Sequence, residues 1–318
     1  MKAMAGVHQR NPALDFTKGM LVMLMVFYHW GNYFVGPLSH FYDYLRFVTP
    51  SFIFLTGAVI TMLYAKKYDL GDSRVYLRLV VRGIKMVSLF TILNILMHTI
   101  LIGNHKGVSF GWDSFVGQLY GIYVTGDSRA AAFKVLLPIG YLLMISAAML
   151  FISRLWKGYI VLGTVLMCLA AQTAEICGTI NANLALLSFG FVGLSCGLVG
   201  VGAVDGLARH FMASVAGFAV YIVAMTFYGP IYSIQIMGVC LSVIVLYGLG
   251  KKMSHGRAQA LIVLVGKYSL VGYVGQIGIL QLLFFWLKGA GRGGVHSGHR
   301  FGFHRLPDDS VDRNLGYG

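Results

Sequence analysis

Long apolar runs dominate the chain, and polar positions fall mainly between them. A helix needs about 20 residues to cross the roughly 30 Å hydrocarbon core of a bilayer. Runs of about this length recur nine times and are continuous rather than alternating with a period of two, which favours helices over a membrane β-barrel. We therefore predict an all-α, polytopic integral membrane helix bundle. The nine predicted spans are roughly 19–36, 47–65, 86–103, 135–153, 158–174, 182–204, 211–228, 231–249 and 268–287.

The overall composition agrees with a membrane protein and excludes two other classes. Hydrophobic residues make up 57% of the 318 residues, charged residues make up 11%, and the mean hydropathy is +0.73. A soluble domain is about a quarter charged, because its surface must carry polar groups. A disordered chain is poor in apolar residues. Neither class fits this chain.

The positive charge reports the orientation of the spans. The formal net charge is +14, but the basic residues are scattered between apolar runs rather than gathered on one soluble face, so we do not expect a nucleic-acid partner. With the N-terminus in the cytoplasm, 16 Lys and Arg residues fall in cytoplasmic segments and four fall in outside loops. This asymmetry follows the positive-inside rule and predicts a cytoplasmic N-terminus.

The C-terminal segment departs from this rule. Five basic residues lie beyond 287, where an odd number of spans would place them outside, and Gly, His and Arg dominate from Gly289 onward. We expect a membrane domain over 1–288 and an atypical tail over 289–318. One interpretation is a truncated or frame-shifted chain that lacks a last span, and the other is a flexible soluble tail.

The first span carries the most informative polar residues. Lys18 and His29 are 11 residues apart, which places both on one stripe of a helix and separates them by about 16 Å along its axis. Lys18 would bind a phosphate as a point charge at the cytoplasmic surface, and His29, deeper in the membrane, would act as a general base. A hydrogen-bonded structural His and a snorkelling Lys are the alternative.

Further candidate residues lie in two other spans. Arg78, Arg82 and Lys85 share one helical face at the cytoplasmic entrance of the third span, where they would bind phosphates of a ligand or anchor the helix to lipid. Asn94 and His98 lie further along that span and are candidate substrate contacts or structural hydrogen-bonding groups. Ser269, Tyr273 and Gln276 share a face of the last span and are candidate substrate contacts. The four cysteines contain no C-x-x-C pair and predict neither a zinc site nor a disulfide framework.

Five short motifs, in order, resemble the membrane acyltransferase-3 family. They are Leu14-Asp15-Phe-Thr-Lys18-Gly19 with His29, Phe52-Ile-Phe54-Leu-Thr56-Gly57, the pair Arg82 and Lys85, Leu137-Pro138-Ile139-Gly140-Tyr141, and Gly266 to Gln276. Lys replaces the family's Arg at 18 and 85, and Gln276 replaces a late His. The pattern is also similar to lysosomal-type glucosaminide acetyltransferases and periplasmic glucan succinyltransferases. The resemblance implies ten spans with both ends cytoplasmic.

The resemblance also implies an activity and its partners. It implies transfer of an acyl group, acetyl or succinyl, from cytoplasmic acyl-CoA to a hydroxyl of an extracytoplasmic glycan or lipid in the bacterial cytoplasmic (inner) membrane. His29 would be catalytic, and Lys18, Arg78, Arg82 and Lys85 would hold the CoA phosphates. No permanently bound cofactor or metal is expected, and membrane lipids are the other partners. A transporter of a glycan, lipid or anion is the alternative function, and an inactive family member is a third.

Overall fold

The described part of the chain is helical, which confirms the predicted fold class there. The computed structural model describes residues 11–31, 44–67, 73–97, 117–127, 133–179, 181–253 and 256–290. They contain eleven α-helices and one π-helix, and the helices up to Leu280 belong to one compact unit. The helices are α1 (Pro12–Trp30), α2 (Val48–Lys67), α3 (Ser73–Met97), π1 (Tyr120–Thr125), α4 (Leu136–Ile152), α5 (Gly158–Ile176), α6 (Ala182–Val199), α7 (Val201–Arg209), α8 (Phe211–Tyr228), α9 (Tyr232–Lys252), α10 (Arg257–Lys267) and α11 (Ser269–Ala290).

Each of the nine predicted runs overlaps a helix, but fewer helices qualify as membrane spans. Within the described residues, α3, α5, α6, α8 and α9 are long and apolar enough to cross a bilayer. The pair α10–α11 raises the number to six if its two helices form one broken span. Exposed apolar side chains along α5 and α8, such as Leu166 and Phe227, are typical of lipid-facing helices. The architecture is that of a helical membrane bundle, and the number of nine or ten spans stays a prediction.

Several boundaries differ from the predicted spans, and the first helix begins at Pro12 rather than near 19. The third helix begins at Ser73 rather than near 86, because four basic residues interrupt the apolar positions of its first turns, which are helical but form no continuous apolar run. The run over 182–204 is divided at Gly200, whose φ of 86° is a left-handed conformation that favours glycine and ends α6. The last run is preceded by α10, and the axes of α10 and α11 meet at 89°. The predicted ends at 32–36 and 98–103 and the tail over 291–318 lie outside the described residues.

Close contacts at glycines hold the main helix pairs together. A Cβ atom at Gly57 of α2 would overlap the backbone of Gly190 in α6. The same holds between α3 and α4, where a Cβ at Gly83 would lie 2.7 Å from the carbonyl oxygen of Gly140. Small residues allow membrane helices to approach until their backbones touch, which increases dispersion contacts. The glycines of the sequence motifs therefore include the contact points of the bundle.

Candidate functional site

The polar residues of α1 lie on a stripe that faces the interior of the bundle. This α1 stripe consists of Lys18, Val22, Met25 and His29, at i, i+4, i+7 and i+11. Val22 and Met25 are buried, with exposed fractions of 3% and 1%, whereas Lys18 and His29 are half-buried. Because α1 is one continuous helix, the two polar residues are about 16 Å apart along its axis. The ring of His29 makes an edge contact with Tyr28, with centroids 5.2 Å apart.

α1 begins where the sequence supplies a helix start. Asn11 caps the helix by accepting hydrogen bonds from the backbone N–H groups of Ala13 and Leu14 at 3.0 and 3.4 Å, and Pro12 occupies the first helical position. The starting residue determines which side of α1 each later residue faces, because an α-helix makes one turn every 3.6 residues.

The bent pair α10–α11 wraps around the first half of α1. Gly266, the penultimate residue of α10, lies so close to α1 that a Cβ atom there would overlap the carbonyl of Asp15. Beyond the bend, a Cβ at Gly272 of α11 would lie 3.2 Å from a methyl carbon of Val22, a member of the α1 stripe. The structure therefore brings together the first and last sequence motifs, which are about 250 residues apart in the chain.

The predicted face of α11 starts beside this contact. Ser269, Tyr273 and Gln276 are at i, i+4 and i+7, and Gln276 lies one turn beyond Gly272 on the same side of the helix. Tyr273 and Gln276 are each 6% exposed, and the Tyr273 ring packs edge-on against Phe133. Neither polar atom of the Gln276 amide has a hydrogen-bond partner within the described residues. A buried polar group without a partner is costly, so this amide is suited to receive a ligand or a water molecule.

Lys18 is oriented by a neighbouring carboxylate. Its ammonium lies 3.9 Å from the carboxylate of Asp15, three residues earlier on α1, and the Lys18 side chain is 27% exposed. The Asp15 carboxylate is buried, and its 3.9 Å separation from the ammonium is long for an ion pair. Asp15 therefore lies close enough to orient the Lys18 ammonium at the start of the α1 stripe.

The cations of α3 lie on an exposed face of a continuous helix. Arg78, Arg82 and Lys85 are all exposed, and a guanidinium nitrogen of Arg82 donates a 2.7 Å hydrogen bond to the Tyr64 hydroxyl of α2. α1 packs against α10, α9 and α2, whereas α3 packs against α4. Helix α2 thus links the predicted donor-binding residues of α1 with those of α3.

The other predicted substrate residues of the third span receive less support. The Asn94 amide is buried and donates to the carbonyl of Phe90, one turn earlier in α3, at 2.9 Å. This hydrogen bond favours the structural alternative for Asn94. His98 lies outside the described residues.

A polar network around π1 escaped the sequence analysis. The amide of Asn183 donates to the carbonyls of Ile122, Tyr123 and Val124, each at 3.3 Å, and the Tyr141 hydroxyl donates to the Tyr123 carbonyl at 2.9 Å. These donors satisfy carbonyls of a π-helix, a form that is often found at functional sites. Tyr141 belongs to the fourth motif, so that motif position serves to hold π1. A lone Asn next to a helix cap gives no sequence signal for this role.

A second missed network anchors the N-terminal end of α1. The Asn11 amide donates to the Tyr247 hydroxyl at 3.1 Å, and that hydroxyl donates to Asp205 at 2.7 Å. The Lys251 ammonium donates to the same carboxylate oxygen at 2.6 Å. Burial alone would raise the pKa of Asp205, but the hydrogen bonds from Lys251 and Tyr247 outweigh it and hold this pKa below its ordinary value.

The described residues contain no group of three or more His, Cys, Asp or Glu side chains placed to hold a metal ion. Comparison with protein-family models, with curated proteins and with solved structures found no match to this chain. The function must therefore be argued from the residues of the chain.

Proposed function

We propose that this protein is an integral membrane O-acyltransferase of the inner membrane, with a cytoplasmic N-terminus. It transfers an acetyl or succinyl group from cytoplasmic acyl-CoA to a hydroxyl of an extracytoplasmic glycan or lipid. The observation that carries this proposal is the α1 stripe, which points a cation and a histidine about 16 Å apart into the bundle. The order of the five motifs supports the same activity.

The donor would enter from the side on which the cations lie. Lys18 and the exposed α3 face of Arg78, Arg82 and Lys85 would bind the phosphates of the donor. The pantetheine arm would then run along the α1 stripe, past the apolar Val22 and Met25, toward His29. An extended arm with a polar group at each end would match a stripe that is apolar in its middle and polar at both ends.

His29, at the far end of the α1 stripe, would take up the proton that the acceptor hydroxyl releases. Its neutral imidazole accepts the proton of the acceptor hydroxyl while that oxygen attacks the thioester carbonyl. The carbon–sulfur bond then breaks, and the CoA thiolate takes the proton back, which leaves an ester and free CoA. In the alternative route the His29 imidazole attacks the thioester carbonyl and expels the CoA thiolate, and the acceptor hydroxyl then takes the acyl group, releases the imidazole and gives its proton to the thiolate. The Gln276 amide, one turn beyond the α1–α11 contact, would contact the acceptor.

The test is His29→Ala in the full-length protein, with labelled acyl-CoA and envelope glycans and lipids as acceptors. We expect loss of acylated product, because the α1 stripe of Lys18, Val22, Met25 and His29 contains a single imidazole that could act as the base. His210→Ala, a change at an exposed histidine that follows α7, is the matched control and should retain activity. Normal acylation by a correctly inserted His29→Ala protein would remove His29 from the mechanism.

The bend between α10 and α11 favours a second candidate, a transporter of a glycan, lipid or anion. Broken helices beside buried polar groups form the substrate sites of many transporters, and Gln276 follows such a break. Labelled acyl-CoA separates the two functions, because an enzyme leaves the label on a product. Movement of unmodified substrate into vesicles without acylation would favour transport.

A further inference from the structure

A cavity of about 220 Å³ lies where the ends of α5, α6 and α9 meet. Its polar lining includes Glu175 from α5, Asn181 just before α6, and Gln235 from α9. Four alanines form much of the remaining wall, and they present methyl groups rather than long side chains. In the predicted topology this end of the bundle is extracytoplasmic, and none of these residues belongs to the α1 stripe or the α3 cations.

The polar groups of the cavity retain hydrogen-bonding capacity. The Glu175 carboxylate accepts the backbone N–H of Tyr232 at 3.1 and 3.2 Å, which caps α9, and one of its oxygens also accepts from the Gln172 amide at 3.2 Å, so that the other oxygen keeps an acceptor position. Asn181 uses its side-chain oxygen to cap α6 at Leu184, and its amide nitrogen has no hydrogen bond to the described residues. The Gln235 nitrogen bonds the Pro230 carbonyl, and its oxygen stays available within the same described set.

The charges around the cavity nearly cancel. Glu175 carries one negative charge, while the N-termini of α6 and α9 both adjoin the cavity through Asn181 and Tyr232. Each helix N-terminus acts as roughly half a positive charge. A cation would therefore gain little from Glu175, and an anion would meet the carboxylate. The electrostatics favour a neutral ligand.

We propose that this cavity binds a neutral, hydroxyl-rich ligand, of the size of one sugar ring or a small polyol. A hydroxyl group both donates and accepts, so it matches the mixture of carboxylate, amide N–H and amide oxygen that the cavity presents. The alanine wall suits the C–H face of such a ligand. The volume lies below the roughly 300–1,000 Å³ of pockets for drug-sized molecules, which limits the occupant to one small unit. This site is separate from the proposed acyl transfer and stands whether or not the protein acylates.

Direct binding to the full-length protein tests this inference. The protein is purified in an amine-oxide detergent, because maltoside and glucoside detergents carry sugar headgroups that would compete. Saturation-transfer NMR is recorded with neutral monosaccharides, glycerol, ethanolamine as the cationic probe and acetate as the anionic probe. We expect signals from the neutral sugars or glycerol and none from ethanolamine or acetate.

Variants locate the binding. Asn181→Asp keeps an oxygen that caps α6 but removes the amide donor, and it should weaken binding at least about tenfold. Ala185→Phe fills the cavity and should abolish binding. Ala213→Phe, at an exposed alanine of α8, is the matched control and should bind like the unmodified chain.

Alkylation of a cysteine in the unmodified chain tests the inference without relying on any variant to fold. Cys177 is exposed and directly precedes Gly178, which lines the cavity, so a bound ligand should slow alkylation of its thiol. The inference is overturned if no neutral sugar or polyol gives a signal or protects Cys177. It is also overturned if ethanolamine binds in a manner lost in Glu175→Gln, or if Ala185→Phe binds as well as the control. No acyl donor is present in these experiments, so their outcome is independent of the His29→Ala result.

Discussion

Two helix pairs use the same packing device with different consequences. In the α2–α6 pair, Gly57 and Gly193 press against the partner backbone, the latter at Phe54, and the contact joins small and apolar residues. In the α1–α10 pair, Gly266 presses against the backbone of Asp15, and the contact lies beside the half-buried Lys18. In both pairs, a glycine contact only allows the two helix backbones to approach closely. Chemistry becomes available where the approaching helix carries polar positions on an adjacent face.

This difference divides the sequence motifs into two kinds of position. Gly57, Gly140 and Gly266 mark backbone contacts, and Tyr141 supports π1. Lys18 and His29 are the motif positions that project polar groups from the α1 stripe into the bundle. A resemblance built on all of these positions therefore reports packing as well as activity, and each kind must be tested with its own variants.

Breaking the α2–α6 pair should have the largest effect. Gly193→Leu would drive a side chain into the backbone of Phe54, and such overpacking costs about 3 kcal/mol or more where backbone must move. We expect the variant to fail to accumulate or to unfold several degrees lower in detergent, as measured by fluorescence-detected thermal unfolding. Gly202→Leu is the control, because a Cβ at Gly202 meets no atom within 4 Å. A Gly193→Leu protein as stable as this control would refute the contact.

Breaking the α1–α10 pair should affect activity more than stability. Gly266→Ala adds one methyl group that must push α10 away from Asp15, and α11 with Gln276 would move with it. We expect acyl transfer to fall at least about tenfold while the protein still accumulates, since a displacement of about 1 Å can cost two orders of magnitude. The control is Gly275→Ala on α11, where a Cβ would meet nothing within 4 Å. A variant with full activity and a lowered unfolding temperature would show that this pair only packs.

The hydrophobic pattern was sufficient to predict helices over the nine apolar runs, because apolar continuity and length are local properties of the chain, but it did not predict π1, α7 or α10 as separate elements. It predicted the shared stripe of Lys18 and His29 for the same reason, since one helix period relates them. It could not predict the bend after Lys267 or the contact between Gly266 and Asp15, because both depend on packing between distant segments. The same limit hid the roles of Glu175 and Asp205, whose partners are 57 and 46 residues away along the chain.

Variants at Lys18, near the start of α1, distinguish an electrostatic role of this residue from a packing role. Lys18→Ala should raise the KM for the acyl donor about tenfold, because a charge–phosphate contact is lost, while Lys18→Arg should retain most of the affinity. Thermal stability should change little, because the Lys18–Asp15 contact is long, at 3.9 Å, and the Lys18 side chain is 27% exposed. Lys252→Ala removes a cation that lies over the Phe211 ring at 4.2 Å on the same predicted side, and it serves as the control. An unchanged donor KM in Lys18→Ala would refute phosphate binding at this position.

The network that anchors the start of α1 should give the smallest effect, and its pH dependence has a definite sign. The folded-state pKa of Asp205 lies below its ordinary value of 3.8, so its ionised form stabilises the fold above that pH. This contribution is lost as the pH falls through the folded-state pKa. At pH 7, Asp205→Asn should therefore unfold at a lower temperature than the unmodified chain. Its free energy of unfolding should be lower by no more than about 1 kcal/mol, because the Asp205–Lys251 pair is partly exposed.

The difference between Asp205→Asn and the unmodified chain should shrink as the pH is lowered toward 3, because protonation removes the same charge that the substitution removes. Thermal unfolding of both proteins across this range measures it. A difference that persists or grows at acid pH would show that the charge of Asp205 does not stabilise the fold, because Asn and neutral Asp have nearly the same shape. A difference that fades would show that this charge stabilises the network at the first turn of α1, on which the position of the α1 stripe depends.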